Sequence, residues 1–348
     1  MRSAYDLELE DLSELLPEEP AYRARQVFDG LHGGLRRVDE MTEIPAALRG
    51  RLAEILPAGL TVVSERSADD GGTVKWALEL DDGALIETVL MHYERRSTVC
   101  VSTQAGCAMA CSFCATGQAG FTRHLTTGEI VEQVVIAARA AAPRRVSNIV
   151  FMGMGEPLAN WKNLAPALHR LNGPLGLGAR RLTVSTVGHV PGIRNLTAEP
   201  LAVNLAVSLH SADDRRRDAL IPLNRTYPLG VLAEVLADYV ETTHRRLSFE
   251  WALIDGVNDT DRDLDELAAY ARPLAAHVNL IPLNPTPGYL VRGSTPQRVA
   301  EFAAGLAHRQ VTATVRMTRG QEIDAACGQL AGRTKVELRT KEETDVGP

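Results

Sequence analysis

Several things are missing from this 348-residue sequence. No apolar run approaches the about 18–20 residues that cross a bilayer, and no segment repeats at a fixed period or runs to low complexity. The first residues, MRSAYDLELEDL, are acidic where a secretory leader is basic and then apolar. No GxGxxG follows a strand pattern; GMGEP at 153–157 lacks the third glycine, which argues against a dinucleotide-binding site. A positive charge excess is absent too: the net charge is −7, so the overall field does not advertise nucleic-acid binding. These absences point to a cytoplasmic globular protein with no membrane partner. The basic residues are grouped, as Arg36-Arg37, Arg95-Arg96, Arg144-Arg145, Arg180-Arg181, Arg215-Arg216-Arg217 and Arg245-Arg246. Each group reads first as solvated surface, and composition leaves RNA undecided.

Cysteine is also scarce, and that makes its placement informative. Three of the five cysteines, Cys107, Cys111 and Cys114, fall within the stretch QAGCAMACSFCATG. In a reducing compartment such crowding suggests metal binding or catalysis more than structural disulfides.

The texture of the chain changes along its length. Residues 7–16, 20–32 and 45–55 predict short helices, with Pro20 and Pro45 near starts and Gly30, Gly33 and Gly34 closing the second. VKWALEL and ALIETVLM, joined by DDG, predict a β-hairpin. From residue 97 strands and helices alternate. STVCVST, SNIVFMG, RRLTVST, LAVNLAVSLH, LSFEWALID, HVNLIPLN and VTATVRM predict strands, with helical stretches between them. That rhythm predicts an α/β fold with a parallel sheet or barrel. The strands alternate where buried parallel strands read as continuous apolar runs. Leu205 and Val207 oppose Ala206 and Ser208; Phe249 and Trp251 oppose Ser248 and Glu250; Val99 and Val101 oppose Cys100 and Ser102. An open parallel β/α barrel follows, with its apolar face under the helices and its polar face around a hydrated cavity. The expected divisions are a helical module at 1–60, a hairpin connection at 61–96 and the barrel at 97–348.

The cysteine loop follows the first barrel strand, at the end where parallel α/β folds place their chemistry. Two readings are open on the residues alone. Three thiolates suit three irons of a [4Fe–4S] cluster, leaving the fourth iron without a protein ligand. A zinc site completed by a distant fourth ligand is the other, in a protein with no catalytic role. Cys100 makes a poor fourth ligand, lying seven residues upstream inside a strand.

C-x3-C-x2-C in this position resembles the radical SAM superfamily, which implies one [4Fe–4S] cluster per chain and binding of S-adenosylmethionine (SAM). The MGMGEPL stretch resembles that superfamily's element for the SAM amino group, which assigns Gly155 and Glu156. By the same resemblance Ser185, the segment Ser208, Leu209, His210, and Asn284 hold the remainder of SAM.

Across nearly the whole chain the motifs resemble the RlmN-type dual-specificity RNA methyltransferases: EPAYRARQVFDGLH, EMTEIPAALR, IETVLM, GCAMACSFCATG, FMGMGEPL, VSLH, LIPLNP and ACGQL. The resemblance implies methylation of carbon 2 of an adenosine in 23S rRNA and of the adenosine 3′ of the anticodon in tRNAs, with two SAM consumed per turnover. It makes Cys327 the methyl carrier, Cys100 the thiol that resolves the RNA–Cys327 link, and Glu87 the base, although Glu87 otherwise reads as an exposed strand carboxylate. It further implies 23S rRNA and tRNA as partners, contacted by the helical module, an electron donor such as a flavodoxin system, and a monomer. A sister enzyme acting on carbon 8 shares the five-cysteine scheme.

Overall fold

The computed structural model describes residues 3–330 except 35, 57, 174, 175, 285, 287, 288, 290, 317 and 318. Residues 331–348 of the expected barrel segment therefore lie outside the described residues. The chain opens with α1 (Leu9–Leu15), α2 (Ala21–His32) and α3 (Ala46–Ile55). Pro20 and Pro45 are the N-caps of α2 and α3, and Gly33 is the C-cap of α2, as the punctuation of the sequence predicts.

A ten-stranded sheet follows, in the order β1 (Leu60–Ala68), β2 (Thr73–Leu80), β3 (Leu85–His92), β4 (Ser97–Cys100), β7 (Asn148–Phe151), β8 (Leu182–Thr186), β9 (Asn204–Ser208), β10 (Leu247–Leu253), β11 (His277–Pro282) and β12 (Ala313–Val315). From β4 to β12 all neighbours are parallel. The expected hairpin is the β2–β3 pair, turned at Asp82 and Gly83, but it is part of something larger. β1 adds a strand on one side, and β3 pairs antiparallel with β4 on the other, so the meander extends the barrel sheet without a break. Two short strands, β5 (Gln104–Gly106) and β6 (Phe121–His124), form a separate ribbon.

Helices cover one face of the sheet: α5 (Thr127–Ala141), α6 (Trp161–Asn172), α7 (Val190–Ala198), α9 (Leu229–Thr243), α10 (Asp261–Ala271) and α11 (Pro296–His308). The shorter α4 (Ala115–Gln118) and α8 (Asp214–Leu220) follow the cysteine loop and β9. Under the covering helices lie Val99, Ile149, Leu182, Val184, Leu205, Val207, Phe249, Trp251 and Leu253, all essentially without solvent contact. The opposite face runs in register through Cys100, Val150, Thr183 and Asn204, and through Ser208, Glu250 and Asn279. Period-two alternation thus separates an apolar core from a polar interior, with β1 and β12 at the two ends of the strand order among the described residues.

The first residues dock on α5. Thr126 caps that helix and Glu129 answers it, a capping box written in the sequence as TTGE. Asp6 accepts hydrogen bonds from the Gly128 amide (2.6 Å) and the Thr126 hydroxyl (2.9 Å). A Cβ at Gly128 would lie 2.6 Å from the Asp6 nitrogen, so only glycine permits this approach. One turn on, Glu132 accepts from the Ser3 hydroxyl (2.7 Å) and the Gly59 amide (3.0 Å). Burial pushes its carboxyl up to about 7, against the pull of those donors. A carboxyl raised in the folded state favours folding fully below the unfolded value near 4.5, and that contribution is lost as pH rises through 7. Glu132→Gln should therefore be more stable than the parent at pH 8, by up to about 3 kcal/mol, and show no advantage at pH 4.5. Thermal melts at both pH values check this.

Candidate active site

The cysteine loop lies beyond the C-terminal end of β4, where the sequence places it. Its ends are fastened: the Cys107 amide donates to the Gly120 carbonyl (2.7 Å), and the Ser112 amide to the Leu220 carbonyl (3.0 Å). Cys111 packs against Leu220, Ile221 and Ile254, while Cys107 and Cys114 are half-buried. Burial, then the neighbouring Cys114 and Cys107 sulfurs, hold the Cys111 thiol well above its ordinary range. Cys107 is pushed up to about 12, mainly by burial and further by Cys114 and Glu156.

These three cysteines line one wall of a cavity on the polar face of the sheet. Gly155 and Glu156 line it from the turn after β7. Gly155 has φ +102, and a Cβ there would sit 2.5 Å from Cβ of Gln104, so the turn closes on Gln104 only because position 155 is glycine. The Glu156 amide takes the Gln104 side-chain oxygen (2.8 Å), while its carboxylate accepts from the amides of Leu158 (3.1 Å) and Val187 (2.9 Å). Even with these donors, burial raises that carboxyl to about 7.

Ser185, Ser208, His210 and Asn284 line the same cavity from the ends of successive strands. Burial lowers His210 to about 3, so its ring is neutral. Nδ1 accepts from the Ala252 amide (2.8 Å), which leaves the proton on Nε2. Leu209 differs from its neighbours: its side chain is in the core, its amide donates to the Glu250 carbonyl (3.0 Å), and its carbonyl accepts from Arg217 (3.1 Å).

Cys327 reaches this cavity from the far end of the described chain. Its segment is clasped to the cysteine loop, the Ala115 amide donating to the Gly328 carbonyl (2.8 Å) and the Thr116 hydroxyl to the Leu330 carbonyl (3.1 Å). Asn284 donates to the Cys327 carbonyl (3.1 Å) and accepts from Gln321 (2.8 Å). Cys327 is open to solvent at the surface, yet its sulfur stands among protein atoms, and that burial raises its thiol while Arg316 pulls it back. Cys100, on β4, is buried on the face of the sheet that carries the cavity; its thiol is pushed upward first by burial and further by charge on Cys327.

Residues 101–271 match the radical SAM superfamily. Over 360 residues the chain is 49% identical to the probable dual-specificity RNA methyltransferase RlmN of Chloroflexus aurantiacus, across 98% of this chain and 96% of that one. The corresponding protein of Parafrankia is 52% identical over 340 residues, 92% of this chain and 88% of its own. A crystal structure of a radical SAM methyltransferase from Sphaerobacter thermophilus matches with a TM-score of 0.92 at 50% identity, covering 95% of this chain and 100% of that one. The chain belongs to the RlmN family. It is a SAM-dependent radical RNA methyltransferase, and the zinc-binding, non-catalytic alternative falls away.

An RlmN-family radical SAM enzyme implies a [4Fe–4S] cluster and SAM, and the loop fits the cluster. Cys107 and Cys111, raised by burial and by neighbouring sulfur charge, become thiolates where a metal centre supplies positive charge. Among the described residues no three His, Cys, Asp or Glu side chains converge as closely as one metal ion requires. A polynuclear cluster binds each thiolate to its own iron and accepts the wider spacing.

Glu87 stands apart from the main cavity and is not the exposed carboxylate its strand suggests. It is 2% exposed, 2.9 Å from the Lys75 ammonium, and lines an adjoining cavity under the β2–β3 turn with Ala105, Gly106 and Gly120. Both faces of this strand pair are covered, so alternation alone does not mark the wet side. Glu250, also unmarked, was placed by parity on the interior face and does line the main cavity. The arginine groups are less free than surface runs suggest. Arg217 is 1% exposed and ties the carbonyls of Val187 (2.7 Å) and Leu209 to Asn224; Arg216 pairs with Asp263 and Glu266. Among the described residues no helix is long and apolar enough to cross a membrane.

Proposed function

We propose that this protein methylates carbon 2 of a peptidyl-transferase-centre adenosine of 23S rRNA and of the adenosine 3′ of the anticodon in tRNAs. The single observation that supports this most is one cavity lined by both the three-cysteine loop and Cys327, on the face of the sheet where Cys100 also stands. Carbon 2 of adenine is electrophilic, so direct displacement of a SAM methyl by that carbon is closed. A protein thiolate can take the methyl instead, and a carbon radical can then add to the ring.

Cys107, Cys111 and Cys114 would hold the cluster, Gly155 and Glu156 the SAM amino end, and Ser185, Ser208, His210 and Asn284 the rest of SAM. The cluster, when bound, supplies the electron that cleaves a SAM molecule and so gives the radical that activates the Cys327 methyl group. Cys327, as thiolate, accepts that methyl from a first SAM, and its methylene carbon then adds to carbon 2. Glu87 receives the proton lost from carbon 2. Cys100, as thiolate, attacks the Cys327 sulfur and closes a disulfide. The carbon–sulfur bond breaks, and the released methylene carbon takes a proton from water to become the methyl group. The unpaired electron left by radical addition returns to the electron-transfer system, and an external dithiol reductant reopens the disulfide. Two SAM are consumed in each turnover. The helical segment at 1–60 and those arginines not tied into the fold contact RNA, which must present an unstacked adenosine. The enzyme works as a cytoplasmic monomer with one cluster and takes electrons from a flavodoxin-type donor.

Nucleoside mass spectrometry of 23S rRNA and tRNA fragments treated with reconstituted enzyme, SAM and reductant should give 2-methyladenosine. The 8-methyl isomer would assign the sister activity, and unmodified RNA would refute the proposal.

A further inference from the structure

β2 carries a lysine on the interior face of the sheet. Lys75 is 6% exposed, its ammonium 2.9 Å from Glu87 Oε1 and 3.2 Å from the carbonyl of Asp324. Register explains the first contact. Ala77 faces Glu87 and Lys75 faces Val89 across the antiparallel pair, which puts Lys75 and Glu87 on one face as diagonal neighbours. Val89 in turn faces Cys100 on β4, so the ion pair belongs to the same surface as the thiol. The second contact reaches 249 positions along the chain, to a carbonyl three residues before Cys327. Asp324 has φ +53 and ends the turn Gln321–Ile323, a bend that presents its carbonyl to the lysine.

A buried ammonium is costly unless paired, and replacing such a pair by apolar side chains is often neutral or stabilising. Stability alone is thus a weak reason for a lysine here. We infer that Lys75 is a positioning residue for the proton-removal step, holding the Glu87 carboxylate in place and tying it to the segment that carries Cys327. The inference rests on the proposed role of Glu87. While the carbon 2 proton moves to the Glu87 carboxylate, Lys75 keeps its own proton; the neutral carboxyl formed later returns its proton to water. Without the lysine, Glu87 loses the anchor that ties it to the Cys327 segment, and its aim at the carbon 2 proton shifts.

The test uses reconstituted holoenzyme, SAM, reductant and an rRNA fragment. Lys75→Met should keep SAM cleavage and the methyl on Cys327, read by intact-protein mass. Its turnover should fall about 10²–10⁴-fold, the range for losing a proton-transfer group, in kcat more than in KM for RNA. In a Glu87→Gln background the same change should cost nothing further, because the two residues act through one proton. Lys75→Arg, which keeps the charge but not the geometry, carries the same comparison should Lys75→Met not fold: it should slow the parent and leave Glu87→Gln unaffected. Wild-type turnover, an additive loss in the Glu87→Gln background, or loss of the Cys327 methyl would each overturn the inference. Failure of the parent enzyme to carry a Cys327 methyl or to modify RNA would instead sink the proposed function beneath it.

Discussion

Cys100→Ala is expected to convert the enzyme into a trap. Incubated with RNA, SAM and reductant, the variant should accumulate RNA joined to protein through Cys327, with release of free methylated RNA slowed at least about 100-fold. The physical reason is a missing leaving step. Once the methylene carbon has added to carbon 2, RNA is held by a carbon–sulfur bond, and only a second sulfur aimed at the first opens it by forming a disulfide. Cys100 is fixed for that task by the β3–β4–β7 ladder, through Val89 on one side and Val150 on the other. Among the described residues the remaining thiols belong to the cysteine loop, which the cluster would occupy. Burial raises the Cys100 thiol, so it rests protonated. Cys100→Ala removes one buried sulfur, so the fold should survive. Denaturing gels and peptide mass spectrometry would find the adduct on Cys327; adding Cys327→Ala should abolish it. Normal release from Cys100→Ala would remove Cys100 from the mechanism.

Cys114→Ala should have the larger effect on rate. Two thiols cannot retain the cluster that three hold, so iron content should fall and reductive SAM cleavage should drop at least about 10³-fold. Cys114 is also where the loop turns into α4, its amide 3.2 Å from the Cys111 carbonyl. The neighbouring Ala115 amide holds the Gly328 carbonyl. Displacing this corner disturbs the seat of Cys327 as well. Iron assay and chromatographic detection of 5′-deoxyadenosine read the two consequences separately.

The parallel strands were legible because burial on one face and water on the other write a period of two into the sequence, as in Asn204–Ser208 and Leu247–Leu253. The three-cysteine loop was legible because its spacing is itself the chemistry. β5 and β6 went unseen because three or four residues hold too little periodicity. β2 and β3 were seen as strands, but the burial of Lys75 and Glu87 was not, since the sheet interior covers what a lone hairpin would expose. Arg217 read as part of a surface run because three consecutive arginines on a short helix do not say which one turns inward beside Leu220. A partnership of Cys100 with Cys327 is a matter of chain path: no local pattern encodes it, and the expectation came from family resemblance.

The most direct test of the account is Mössbauer spectroscopy of oxygen-free, iron-loaded protein with and without SAM. A four-iron cluster with one distinct iron, whose signal shifts when SAM is added, is the predicted result. A spectrum unmoved by SAM with every iron capped by side chains, or protein that takes up zinc and no iron, would contradict it.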